Sequence, residues 1–166
     1  MKFDISGIEK TDGSSLQIEY NNLIEDLDSI LGHEFLFNAP VEFSGSLTNV
    51  GGILKLNGRL KAGYTVGCYR CLKEIRDKLD LLIREEFVNA GENMDVEAYT
   101  YEDGFIELDK VLIDNIILNL PMKQMCSEEC KGICPVCGAD LNYNECNCRT
   151  DAIHPGMEAL KNFFKN

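Results

Sequence analysis

Residues 54–83 read LKLNGRLKAGYTVGCYRCLKEIRDKLDLLI, and their pattern decides the fold. Leu54, Leu56, Leu60, Ala62, Tyr64 and Val66 take one side of an alternating run, while Lys55, Asn57, Arg59 and Lys61 take the other. After Cys68-Tyr69-Arg70-Cys71 the alternation resumes, with Ile75, Leu79, Leu81 and Ile83 opposed to Arg76, Lys78 and Arg84. A period of two residues is that of a strand with one buried face. The stretch therefore predicts two antiparallel strands with the cysteine pair at the hairpin tip. Upstream, residues 40–48 alternate in the same way, and Asn49-Val50-Gly51-Gly52 is a turn signal. An antiparallel meander is the simplest structure. Phe3 and Ile5, then Leu16, Ile18 and Tyr20, suggest two more strands around an Asp12-Gly13 turn.

The period changes on either side of this meander. From Leu108 to Leu120 apolar residues recur at helical spacing, with Asp109 expected as N-cap and Pro121 ending the run. A shorter amphipathic helix is expected near residues 21–31, carrying Leu23, Leu27 and Ile30. The acidic stretch 85–103 reads as a solvated loop or strand edge, and 157–164 as a short tail helix whose Leu160 and Phe164 are free to dock. The expected fold class is α+β: an antiparallel β meander or partly open barrel, a few helices, and a C-terminal cysteine-rich zinc module. Residues 1–121 form the core domain, 122–150 the module packed on it, and 151–166 the tail. A chain of 166 residues suits one core with a small appendage.

Six of the eight cysteines fall between Cys126 and Cys148. Cys134-Pro135-Val136-Cys137-Gly138 has the form of a zinc knuckle, in which a tight turn aims two thiolates and backbone N–H groups at one ion. With Cys146 and Cys148 it makes a four-thiolate set using a short polar connection. The remaining pairs, Cys126 with Cys130 and Cys68 with Cys71, are assigned to a second site that joins distant parts of the chain. Four pairs can be divided between two metals in three ways, and spacing alone does not choose. Two Zn(2+) ions per chain are expected, with iron as the other candidate. The spacing Cys130, Cys134, Cys137 also occurs in radical iron–sulfur enzymes, but those need a larger barrel than this chain can build. A thioredoxin-like role for Cys68 and Cys71 lacks a strand-to-helix junction. Burial as plain apolar residues, and His154 as a substitute ligand, are the remaining readings.

Composition bounds the function. The N-terminus lacks the apolar run of a secretory signal, and no window reaches the roughly 18 apolar residues of a membrane span. A reducing cytoplasm and no membrane partner are expected, and there clustered cysteines are metal ligands more often than disulfides. Net charge is −12, but residues 55–84 hold eight of the sixteen basic residues against three acids, a net +5. The rest carries eight basic against 25 acidic residues, a net −17. Lys55, Arg59, Lys61, Arg70, Lys73, Arg76, Lys78 and Arg84 are thus the candidate contacts to a phosphate backbone or other partner. The acidic remainder suits a basic partner such as a ribosomal protein. Lysine and arginine on strands also serve solubility and guard edges, which is the plainer account of the same residues.

Cys68-x-Arg70-Cys71-Leu72, the helix ending in Ile116-Ile117-Leu118-Asn119-Leu120-Pro121, and CKGICPVCGADLNYNECNC at residues 130–148 together resemble the YceD family of large-ribosomal-subunit RNA accumulation proteins. The resemblance covers nearly the whole chain. It implies a non-catalytic factor for accumulation or assembly of large-subunit ribosomal RNA, with no small-molecule substrate. Cys68, Arg70 and Cys71 become the candidates for what the family does in common. His154-Pro155-Gly156 departs from the Asp-Pro-Arg of many relatives, and members differ in keeping the C-terminal cysteines. The competing class is a zinc- or thiol-dependent enzyme acting on RNA or in redox chemistry. Closed four-thiolate sets leave no open coordination position for it. Two histidines, no Ser-His-Asp set and no phosphate-cradling glycine loop weigh the same way.

Overall fold

The computed structural model describes residues 2–24, 27–32, 34–91 and 98–148. In chain order the elements are β1 (Lys2–Asp4), α1 (Ser6–Glu9), β2 (Ser15–Asn22), α2 (Leu27–Ile30) and β3 (Phe35–Leu36). They continue with β4 (Val41–Val50), β5 (Ile53–Gly67), β6 (Glu74–Asn89), β7 (Tyr99–Tyr101), β8 (Phe105–Glu107) and α3 (Leu108–Asn119). The alternating stretch forms the β5–β6 hairpin, paired antiparallel from Leu54 opposite Phe87 to Gly67 opposite Glu74. β4 adds antiparallel to β5 through a tight turn in which Gly51 and Gly52 both have positive φ, as a two-residue hairpin loop requires. β2 pairs with β4, β3 with β5, and β7 runs parallel to the end of β6. The six-stranded sheet is ordered β2-β4-β5-β6-β7 with β3 beside β5; it is open, and β1 pairs separately with β8.

Period two sends Leu54, Leu56, Leu60, Ala62, Tyr64, Leu79 and Ile83 into one buried cluster with Phe43, Phe87 and the buried stripe of α3, Leu108, Val111, Leu112 and Ile116. The ring of Phe43 lies over the cross-strand pair Gly45 and Gly58; a Cβ on Gly58 would come within 2.6 Å of that ring, so the position admits no side chain. Asn49 is only 2% exposed and fully bonded: Nδ2 donates to the carbonyls of Ile8 and Glu9, and Oδ1 accepts from Gly52. α3 ties to the sheet where Asn115 Nδ2 donates to Glu85 and Tyr99 donates to Asp114.

Several local expectations differ from the structure. Among the described residues the helix near 21–31 is Leu27–Ile30, because β2 continues to Asn22 by pairing with Val41, and Leu23 and Ile30 stay exposed. Glu107, not Asp109, occupies the N-cap of α3; the Asp109 carboxylate instead accepts the Tyr20 hydroxyl at 2.6 Å. Phe3 lies in a strand, but Ile5 only joins β1 to α1, and β1 pairs with β8 a hundred residues away. Within the acidic stretch, residues 85–89 are the end of β6 and Tyr99–Tyr101 form β7. His154 and the expected tail helix lie outside the described residues.

Candidate metal centres and basic face

The β5–β6 hairpin ends in a tight turn that carries Cys68 and Cys71. Within it the Leu72 amide donates to the Cys68 carbonyl at 2.9 Å, and the Cys68 amide donates to Lys73 at 2.8 Å. The segment after α3 runs beside this tip, the Tyr69 amide donating to Gln124 at 2.8 Å and Gln124 Nε2 donating to Asp77. Cys126 and Cys130 are thereby brought to the turn, with Cys71 Sγ 3.6 Å from Cys126 Sγ and Cys68 Sγ 3.9 Å from Cys130 Sγ. Cys68, Cys71 and Cys130 are buried and share a small cluster with Ile75. The guanidinium of Arg70 donates to the Cys130 carbonyl at 2.7 Å, so it buttresses this group.

The second group repeats the turn. The Gly138 amide donates to the Cys134 carbonyl at 2.9 Å, and the Cys134 amide donates to Ala139 at 2.8 Å. The residue after the second cysteine must therefore adopt positive φ in both turns. At Gly138 (φ 74) this costs nothing, whereas Leu72 (φ 61) places a branched side chain there, 71% exposed. Sequence reading missed this requirement at Leu72, although the alignment of the two Cys-x-x-Cys turns marks the position. It missed Asn142 as well, whose side chain reaches the first group from the second.

All four sulfurs within each group, Cys68, Cys71, Cys126, Cys130 and Cys134, Cys137, Cys146, Cys148, lie within 4.8 Å of one another. A tetrahedral ion with metal–sulfur bonds of about 2.3 Å spaces its thiolates about 3.8 Å apart, so each group fits one ion. Electrostatics point the same way. Burial raises the Cys68 thiol, but backbone N–H groups of Cys71, Cys126 and Arg70 outweigh it and bring it down to about 6. The N–H groups of Cys137 and Val136 bring Cys134 down to about 6 against burial. Cys126 is pushed up to about 12 by the Cys130 and Cys71 thiols, and Cys148 to about 12 chiefly by Cys137. Lys73 N–H lowers Cys71 and Cys148 N–H lowers Cys146, yet burial and neighbouring thiols leave both raised. Four sulfurs this close cannot all be anionic without a cation among them. Both groups could hold a metal ion.

Register puts Lys55, Arg59, Lys61, Arg76, Lys78 and Arg84 on one face of β5 and β6, opposite the core and open to solvent. The same parity brings Glu74, Asp80 and Glu86 onto that face. Lys55 pairs with Glu86 at 2.8 Å, Arg76 with Glu74 at 2.8 Å, and Arg59 holds Asp80 through Nε and Nη2. That carboxyl is held below its ordinary range by Arg59. Among the described residues Lys61, Lys78 and Arg84 make no ion pair. Lys73 and Arg70 sit at the hairpin tip, off this face. Tyr69 is exposed there, with Lys123 Nζ 4.8 Å from its ring centre.

An open, mainly antiparallel sheet whose longest hairpin is closed by one four-cysteine group and followed by a second defines a protein with two knuckle-type cysteine groups that could each hold a metal ion. Residues 56–164 match the family described as large ribosomal RNA subunit accumulation protein YceD, and the chain belongs to that family. A Zea mays protein named large ribosomal RNA subunit accumulation protein YCED homolog 1, chloroplastic, is 26% identical over 159 residues, covering 76% of this chain and 54% of its own length. Its Arabidopsis thaliana counterpart is 25% identical over 155 residues, 74% and 48% of the two chains. An uncharacterized protein of Mycobacterium tuberculosis is 34% identical over 105 residues, 60% and 50%. The chain thus spans about half the length of the curated relatives it matches. No solved structure matches. No described helix is long and apolar enough to cross a membrane.

Proposed function

We propose that this chain is a non-enzymatic factor for the accumulation of large-subunit ribosomal RNA, that each four-cysteine group holds one Zn(2+), and that the outer face of β5 and β6 contacts RNA phosphates. The observation that carries the reading is the set of six basic side chains on one outer face of the sheet, of which Lys61, Lys78 and Arg84 have no carboxylate partner within ion-pair distance among the described residues. The names of the family and of its plant relatives supply the ribosomal context. Four thiolates around one ion leave no position for a reacting water, which favours a structural centre over a catalytic one. Zinc suits such a set because it is tetrahedral without redox demands, and a reducing compartment such as the cytoplasm keeps the thiols available.

The test is recovery from lysate on the tagged full chain, with and without ribonuclease, alongside the triple variant Lys61→Glu/Lys78→Glu/Arg84→Glu. Large-subunit RNA should be recovered by the wild type and lost with either treatment. A basic ribosomal protein that survives ribonuclease and ignores the variant would replace RNA as the direct partner, with the acidic body as its docking surface.

A further inference from the structure

The two cysteine groups are separated by Lys131-Gly132-Ile133, and this spacer is bonded in both directions. The Ile133 amide donates to the Arg70 carbonyl of the first turn at 3.1 Å, while the Gly132 carbonyl accepts from Leu141 of the second module at 2.9 Å. Gly132 has φ 76, and a Cβ there would lie 3.0 Å from the Arg70 carbonyl oxygen, so the approach needs glycine. Asn142 closes the arrangement. It belongs to the connection between Cys137 and Cys146, yet its Oδ1 accepts the Lys131 amide at 2.8 Å and its Nδ2 lies 3.5 Å from Cys130 Sγ in the other group. The second Nδ2 hydrogen goes to Asp140 Oδ1 at 2.7 Å, which leaves the amide fully used.

The two groups differ in what holds them. Cys68, Cys71 and Cys130 are buried against the sheet. Residues 138–145 contain no buried side chain, so that connection has no core of its own. A few hydrogen bonds to residues 131–134 hold it, and ligation of Cys137 and Cys146 would pin its two ends.

We propose that the two metal centres are coupled and that Asn142 is the positioning residue that couples them. Metal in the second group closes residues 138–145, which aims the Asn142 amide at Cys130 and raises the first group's affinity for its ion. An N–H donor steadies a thiolate that must share its ion with three others, and partners of this kind are worth about 10- to 100-fold in metal affinity. By linkage the first metal strengthens the second to the same degree. The inference rests on both groups being metal sites.

The experiment strips the full chain of metal and titrates it with cadmium-113 against a competing chelator, following each centre by its own NMR signal. Asn142→Ala removes all three side-chain bonds; Asn142→Asp keeps the acceptor for Lys131 but sets a carboxylate against Cys130. Both should weaken the first group by about 10- to 100-fold and move its resonance, Asp at least as much as Ala. Cys137→Ser/Cys146→Ser should weaken the first group similarly, and adding Asn142→Ala to it should cost nothing further. Far-UV circular dichroism checks that the sheet persists. Wild-type affinity and an unmoved first-group signal in Asn142→Ala overturn the coupling. Fewer than two ions on the wild type overturn it together with the two-site reading, whereas two ions bound independently overturn the coupling alone.

Discussion

Lys78→Glu reverses one charge in the middle of the outer face, opposite Gly63, where no larger side chain shields it. The structure sets the size of the effect through the ion pairs on that face. If only the unpaired Lys61, Lys78 and Arg84 meet phosphates, three contacts give a slope of log K against log salt of about −2 to −3. Between 50 and 200 mM salt that is a loss of roughly 16- to 60-fold. If Lys55, Arg59 and Arg76 leave Glu86, Asp80 and Glu74 to join them, six contacts give about −4 to −5 and a loss of several hundred-fold or more. In either case Lys78→Glu should flatten the slope by about 1 and leave sequence preference unchanged. The assay is fluorescence anisotropy of a labelled large-subunit RNA fragment at several salt concentrations. Lys110→Glu, the same charge change at an exposed position of α3, serves as control and should leave the slope alone. Fold stability should move by under about 0.5 kcal/mol, as for an ordinary exposed position. Parallel lines for wild type and Lys78→Glu would refute phosphate contact by this face.

Elemental analysis of protein purified without added metal should find two zinc ions per chain. Cys68→Ser should remove one, and a count of one in the wild type would eliminate the site that joins the hairpin tip to Cys126 and Cys130. Metal affinity should fall with acid, because Cys71 and Cys126 in one group and Cys146 and Cys148 in the other hold their protons at neutral pH and must release them to bind. Below pH 6 Cys68 and Cys134 also take up protons, so the loss should steepen there; chelator competition at pH 5.5, 7 and 8.5 measures it, and a flat profile contradicts it. Leu72→Gly should raise the thermal midpoint modestly, since release of about 1–2 kcal/mol of left-handed strain exceeds the backbone entropy of glycine. Gly138→Leu should lower it by the same reasoning, and equal midpoints for the two variants would argue against positive φ as the determinant.

The hairpin was legible because burial on one face of a strand writes period two directly into residues 54–66 and 75–83. The joining of Cys68 and Cys71 to Cys126 and Cys130 could be inferred from economy, since an isolated pair at a hairpin tip lacks two ligands. Where local pattern competed with distant pairing it misled. Leu23, Leu27 and Ile30 have helical spacing, but Asn22 pairs with Val41 and only Leu27 is buried. Asp109 has the chemistry of an N-cap, but Tyr20, 89 residues earlier, takes its carboxylate. Counting lysine and arginine overstated the basic face, because Glu74, Asp80 and Glu86 share its parity, a fact already present in the sequence. Asn142 gave no sign, since its role depends on a fold that brings residue 130 beside it.

The first cysteine group spans a large part of the chain: Cys71 and Cys126 are 55 residues apart, and Cys68 and Cys130 are 62. An ion held by all four is a cross-link across the whole second half of the sheet and α3. Treated like a disulfide that closes a loop of about 60 residues, it lowers the entropy of the unfolded chain by the equivalent of about 4 kcal/mol. Unlike a disulfide, this staple resists reductants but depends on the supply of metal. Zinc starvation would release the hairpin tip and the segment leading to Cys126 together, giving proteases an unfastened stretch, so the lifetime of the protein in the cell should track available zinc.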